Sequence, residues 1–340
     1  MQSGVHRMSS HMVKLSETDA GIAWLKQFDV DDQATAANLI DTMLLVSRDE
    51  FFERLRELIL ERSSQVNGRI GLYAEREIRK NRGILNRLFK ENRGRACGTG
   101  PAPVQPTHVY APQVGSEGLV AWLITDLCRE HPHRFLNHPG PDQIRRRKAH
   151  AFFLITDFIG SGTRACNYLQ AAWRVASVKS WSSLHLLLFE VVAYSATDAG
   201  HSALKAHPSH PSVSLVIPCP TIESEFDSLA VDRIRSLCIR YDPIDHKPVE
   251  ALGFGGAGAL IAFAHGCPNN APRILHKKST RKSTRWKPLF PARVTASTRA
   301  LFGDRRDDAT LTSLAMRKRP KRLSTLYTAS YRSRSRLMAS

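Results

Sequence analysis

The chain has 340 residues, of which 42% are hydrophobic, 8% aromatic and 24% charged, an ordinary globular composition with material for a sizeable core. No apolar run reaches the roughly 18 residues of a bilayer-spanning helix, and Met1–Leu15 lacks the apolar stretch of a signal peptide, so a cytoplasmic protein with no membrane partner is expected. The net charge of +18 is confined to one end: Arg273–Ser340 carries 19 Lys or Arg against 3 acidic residues, which leaves the first 272 residues close to neutral and limits any nucleic-acid reading to the tail.

From Glu17 to Gln65 the apolar spacing is helical. Ile22, Leu25 and Phe28 share one face, Leu39, Ile40, Met43, Leu44 and Val46 form a second stripe, and Phe51, Phe52, Leu55, Leu58 and Ile59 a third, with Ser47 or Asp49 placed to cap it. Ile70–Ile78 is mixed, and Ile84, Leu85 and Leu88 predict one more helix. These segments make an N-terminal helical region over residues 17–93, and the Gly- and Pro-containing stretch Gly94–Pro106 reads as a linker.

Beyond it, strand and helix signals alternate over residues 107–293. Thr107–Ala111 is β-like, Gly115–Ser116 opens a helix, Ala151–Ile155 is a continuous apolar run, and a helix continues through Leu169 and Trp173. Leu184–Tyr194, Val213–Pro218 and Ala259–Phe263 read as strands, with a short helix at Ala199–Ala206. Apolar strands separated by helices predict an α/β domain with a mostly parallel sheet and flanking helices. Residues 294–340 form a basic tail expected to have little order. Cys97, Cys128, Cys166, Cys219, Cys238 and Cys267 form no C-x-x-C pair and read as thiols in a reducing compartment.

The segment Phe153–Arg164 carries the most chemistry. A buried strand runs into one acidic residue, Asp157, then two apolar positions, then the small-residue loop Gly160-Ser161-Gly162-Thr163 that starts a helix. Such a loop leaves amides free at a helix N-terminus, where phosphate can sit, and Ser161 and Thr163 add hydroxyls. Asp157 is placed to accept hydrogen bonds from ribose hydroxyls or to organise magnesium. An ordinary strand-to-helix turn fits the same pattern equally well.

The segment resembles the ribose-5-phosphate loop of type I phosphoribosyltransferases, usually two acidic residues, two apolar ones, then Thr-Thr-Gly-x-Thr. The acidic pair falls on Thr156 and Asp157, and the phosphate loop on Gly160, Ser161, Gly162, Thr163 and Arg164. Thr156 thus stands where the family has a carboxylate, and Arg164 where it has a threonine. Gly71–Ile78, Gly115–Gly118, Gly253–Gly256, Cys267–Asn270 and Trp286–Phe290 extend the resemblance to phosphoribosyltransferase-like proteins of bacterial conflict and defence systems, the PRTase-CE-like group, over roughly Gly21–Arg293. The resemblance implies a type I phosphoribosyltransferase-like fold, a nucleotide or phosphoribosyl pyrophosphate ligand accompanied by magnesium, and defence-system partner proteins. It implies glycosyltransferase chemistry if the site turns over, with Asp157 as the catalytic carboxylate. With one carboxylate lost, Thr156→Asp is expected to tighten magnesium-dependent binding. The alternative is an inactive sensor or scaffold of the same fold.

Other residues are less decisive. Ser116 either binds anionic ligand or caps its helix. Asn269 and Asn270, in a turn after an apolar strand, either contact a base or ribose or serve the backbone. Glu75 and Arg76 belong either to the site or to a surface ion pair. Gly253–Gly258 matches G-x-G-x-x-G without the strand before and helix after that a dinucleotide site requires. His207 and His210 lack a neighbouring carboxylate and read as loop residues, not zinc ligands. Lys277, Lys278, Arg281, Lys282, Arg317–Arg319 and Lys321–Arg322 suit non-specific phosphate contacts.

Overall fold

Hydroxyl caps start two of the first three helices, and Ser47 is the one of the two expected candidates that caps the third. The Thr18 side chain accepts from the Gly21 amide at the start of α1 (Asp19–Leu25), α2 (Val30–Asp41) follows, and the Ser47 hydroxyl accepts from the Glu50 amide at the start of α3 (Arg48–Ser64). Between α2 and α3 lies β1 (Leu44–Val46), so the second helical stripe ends earlier than its spacing suggests. The computed structural model describes residues 14–102, 115–244, 250–279, 286–291 and 301–302, all within one compact unit, Met1–Asp304. The expected strand Thr107–Ala111 and nearly all of the basic tail lie outside the described residues.

After α3, Ile70–Ile78 is no helix. Arg69–Ala74 forms β2, buried almost throughout. The helix expected around Ile84–Leu88 is replaced by two small antiparallel hairpins, β3 (Lys80–Asn81) with β4 (Ile84–Leu85) and β5 (Lys90–Asn92) with β6 (Arg95–Cys97). Each turns through an Arg-Gly pair, Arg82-Gly83 and Arg93-Gly94, with all four residues at positive φ. That is the two-residue hairpin turn whose twist matches antiparallel strands. β6 also lies inside the stretch read as a linker.

The remaining elements interleave helices and strands: α4 (Ser116–Glu130), β7 (Phe135–Asn137), α5 (Pro141–Arg147), β8 (Ala149–Ile159), α6 (Thr163–Trp173), α7 (Ala176–Ser183), β9 (Leu188–Ala196), α8 (Asp198–Lys205) and β10 (Ser212–Pro218), of which β7, α5 and α7 were not read from the sequence. Then come α9 (Ile222–Glu225), α10 (Ser228–Arg240), β11 (Ile261–Phe263) and α11 (Arg273–His276). Among the described residues the central sheet has five strands in the order β10-β9-β8-β2-β7, every pairing parallel. β11 does not join it but pairs in parallel with β1, Leu44 opposite Ile261.

Side chains alternate across β8. Ala151, Phe153 and Ile155 pack with α3 and α4 on one face; Phe152 and Leu154 pack with α6 and α7 on the other. A strand covered on both faces must be apolar at every position, which is why β8 reads as an uninterrupted run. A second core gathers Trp24, Phe28, Leu39, Ile234 and Trp286 from α1, the turn after it, α2, α10 and the segment after α11. The Phe28 and Trp286 rings meet edge to face at 5.2 Å.

The connectivity places the site. From β2 the chain passes through α4 to β7 on one side; from β8 it passes through α6 to β9 on the other. The strand order therefore reverses between β2 and β8, and a crevice opens beyond their carboxyl ends. Glu75 and Asp157 stand there.

Candidate functional site

A pocket of about 430 Å³ occupies that crevice, lined by Glu75, Ser116, the loop 157–165, Phe254 and the segment 265–270. Its floor is the loop between β8 and α6. Gly162 is the N-cap of α6 in the left-handed conformation, φ 74°, where a side chain would be strained. The Ser161 and Thr163 hydroxyls lie 2.9 Å apart. Helical hydrogen bonding starts from Cys166, whose amide donates to the Gly162 carbonyl, so the preceding amides of the first turn have no intrahelical acceptor. Gly160 is fixed from two sides: its carbonyl accepts from the Thr197 hydroxyl at 2.7 Å, and a Cβ there would overlap the Asn270 amide.

Asp157 lies at the mouth of this loop. Its Oδ1 accepts from the Phe158 amide at 2.8 Å, and its Oδ2 accepts from His265 Nε2 at 3.1 Å. Burial acts to raise its pKa; the hydrogen bond and charge of His265, the Phe158 amide and the charge of Arg164 outweigh it and hold the carboxyl below its ordinary value. The side chain keeps 17% of its surface open, so the carboxylate still faces the pocket. The His265 side chain is itself 97% covered, between the Phe263 ring stacked at 5.0 Å and the Phe51 ring edge-on at 5.0 Å, and its Nδ1 has no hydrogen-bond partner among the described residues. Sequence reasoning missed His265. Its one signal is its place just past β11, because what joins it to Asp157 is a contact across 108 positions.

Thr156 is buried, and its hydroxyl donates to Glu75 Oε2 at 2.6 Å. Glu75 follows β2 directly, with its amide bonded to the Ile155 carbonyl at 2.8 Å. Burial raises its pKa to about 7, against the lowering effects of the Arg164 charge and the Thr156 hydrogen bond and with the raising effects of Asp157 and Glu117. Of the alternatives for Glu75, the structure places it in the site and not on the surface.

The other expected residues divide. Ser116 lines the pocket as the first residue of α4, but Gly115 is the N-cap, so Ser116 does not cap its helix. Arg164 is half-exposed and paired with Glu117 at 2.7 Å and Glu75 at 3.8 Å. Asn269 lines the pocket and its carbonyl accepts from the Phe254 amide. Asn270 is buried and donates to the Phe254 carbonyl at 3.0 Å, tying the glycine-rich loop to Gly160. His207 bonds Ser209 in a loop, away from the pocket.

Over residues 22–292 the sequence matches the PRTase-CE family model, which takes in every pocket residue. The chain belongs to the PRTase-CE family. No curated protein and no solved structure matches it. The PRTase-CE chain is thus phosphoribosyltransferase-like, as the loop and the sheet suggested. Among its described residues no helix is long and apolar enough to cross a membrane. Nor is any group of three or more His, Cys, Asp or Glu placed to hold a metal by itself. Magnesium commonly binds through one or two carboxylates plus the ligand's phosphates, and the oxygen donors around Asp157 fit a metal that arrives with its ligand.

Proposed function

We propose that the pocket binds a ribose 5-phosphate group, carried by phosphoribosyl pyrophosphate or a related nucleotide, and that this PRTase-CE protein acts as a phosphoribosyltransferase-like enzyme. One observation supports the reading above the rest: a small-residue loop, with two hydroxyls and first-turn amides that lack intrahelical acceptors, stands at the switch point beside a low-pKa carboxylate. The 5-phosphate would sit against the first-turn amides of α6 and the hydroxyls of Ser161 and Thr163, with Gly160 and Gly162 allowing close approach. Asp157 would accept from the ribose hydroxyls, aligned by His265. Asp157 and the ligand's phosphates would also hold magnesium, which neutralises a pyrophosphate leaving group. In the transfer the bond from ribose C1 to the pyrophosphate oxygen breaks, the oxygen keeps the electron pair, and an acceptor bonds to C1 as it releases its proton.

Isothermal titration of phosphoribosyl pyrophosphate, with and without magnesium, tests this. Wild type should bind with a magnesium-dependent affinity that Asp157→Ala weakens tenfold or more. No binding in any condition overturns the assignment. A second reading, a sensor of the same ligand, is favoured by Thr156 in place of an acidic residue and by Arg164 held between two carboxylates. Tight binding with no pyrophosphate released across a panel of nucleophilic acceptors would select it. The effector role in bacterial defence implied by the resemblance belongs to this proposal, and gene neighbourhood tests it.

A further inference from the structure

The geometry points to Glu75 as the second carboxylate of the ligand site, supplied across the sheet from β2 in place of the acidic residue that Thr156 displaces. The inference rests on the ribose-phosphate reading of the pocket and adds to it a residue from outside the loop.

Three observations carry it. First, Glu75 lies beside Thr156 by strand register: Ala74 pairs with Ile155, and the Glu75 amide extends the same ladder to the Ile155 carbonyl. A side chain at Glu75 therefore reaches the place that a side chain at 156 would fill. Second, Thr156 does not leave that place empty. Its hydroxyl donates to Glu75 Oε2 at 2.6 Å, which orients the carboxylate and leaves Oε1 towards Arg164, 3.8 Å away at the pocket wall. Third, an acidic group that is 94% buried is a costly thing to keep for one threonine hydroxyl and a long contact to a half-exposed arginine, which already has a closer partner in Glu117 at 2.7 Å. Glu75 and Asp157 line one pocket together with the loop 160–163. Two carboxylates of this kind, with ligand phosphates, complete an oxygen set for magnesium.

The role bears on the sequence expectation for Thr156→Asp. In the wild-type background this change sets a new carboxylate at the 2.6 Å contact that the threonine hydroxyl now makes with Glu75, and two carboxylates that close cannot both ionise. The substitution should weaken magnesium-dependent binding, not tighten it. With Glu75 replaced by Gln, the same Thr156→Asp change restores the missing charge and should recover binding.

The test is titration of phosphoribosyl pyrophosphate, with and without magnesium, into wild type, Asp157→Ala, Glu75→Gln, Thr156→Asp and the Glu75→Gln/Thr156→Asp double variant. Thermal melts check that each is folded. Glu75→Gln should lose magnesium-dependent affinity tenfold or more, and the double variant should regain most of it. Thr156→Val, which keeps Glu75 but removes its tether, should lose several-fold and covers the case in which Glu75→Gln does not fold. If Glu75→Gln and Thr156→Val bind as wild type does while Asp157→Ala does not, Glu75 is only a counter-ion for Arg164; this inference falls and the ligand reading stands. Loss in Glu75→Gln without recovery in a folded double variant overturns it as well. Wild type that binds nothing overturns the ligand reading, and this inference with it.

Discussion

Gly160 shows how little room single side chains have at this site. A methyl group there would overlap the Asn270 amide, which is itself anchored to the Phe254 carbonyl. Gly160→Ala should therefore cost about 1–3 kcal/mol, the usual range for overpacking, measured by chemical denaturation. Removing the obstruction with Asn270→Ala should make the double variant less unstable than the two single losses predict, because the residues share one contact. His265 works on Asp157 through a hydrogen bond. His265→Phe keeps a ring between Phe51 and Phe263 but removes the donor, so the Asp157 carboxyl should titrate at higher pH, read from its carboxyl carbon by NMR. The sign for stability follows. A carboxyl with a depressed folded pKa contributes stability above its unfolded value, near 3.8, and loses it as pH falls through the folded one. His265→Phe should shrink that contribution, so acid unfolding becomes less steep below pH 4.

At the scale of elements, the β2–β7 junction holds a proton-sensitive tie. His138 follows β7 with φ 46°, accepts the Ala74 amide on Nε2 at 2.9 Å and meets Asn137 Oδ1 through Nδ1 at 2.6 Å. This pattern requires a neutral ring, and burial, helped by the Arg76 charge, lowers its pKa from 6.5 to about 4. As pH falls from 6.5 to 4 the unfolded chain takes up a proton that the folded one refuses. Stability should drop by roughly 3 kcal/mol over that window and by nothing further below it. His138→Asn suits the left-handed backbone and should flatten the slope of stability against pH between 6 and 4, whatever its cost at pH 7. The same junction shows what the sequence made legible. β8 announces itself because burial on both faces forces a continuous apolar run. β2 is six residues long and runs straight into Glu75-Arg-Glu, so its apolar part is too short to stand out. Ile84, Leu85 and Leu88 mimic helical spacing, while the true signal was the repeated Asn-Arg-Gly at 81–83 and 92–94, a turn sequence that favours positive φ. The small-residue loop 160–163 was legible because its residues are adjacent in sequence. Glu75 and His265 join it only through strand pairing and the β1–β11 excursion, and no local pattern encodes either.

For the whole molecule, charge and core divide at different residues. The family match ends at 292, and the sequence changes character near Arg293, which makes Arg293 the natural place to cut. Yet Phe302 is 7% exposed, belongs to the second core and lies 6.0 Å from the Phe290 ring. A chain ending at Arg293 should lose that packing, at a cost within the roughly 3–5 kcal/mol of deleting a buried Phe, whereas one ending at Asp304 should melt as the full chain does. Ten of the 19 basic residues found after position 272 lie beyond Asp304, against two acidic ones. If those cations bind polyanions, affinity must fall steeply with salt, because each neutralised phosphate releases counterions. The full chain should then be retained on heparin at low salt and the chain ending at Asp304 should elute markedly earlier, with phosphoribosyl pyrophosphate binding equal in both. Equal elution of the two would rule out a nucleic-acid role for this segment. Loss of ligand binding in the shorter chain would instead make the segment part of the pocket's function, against the separation of charge from core on which the prediction stands.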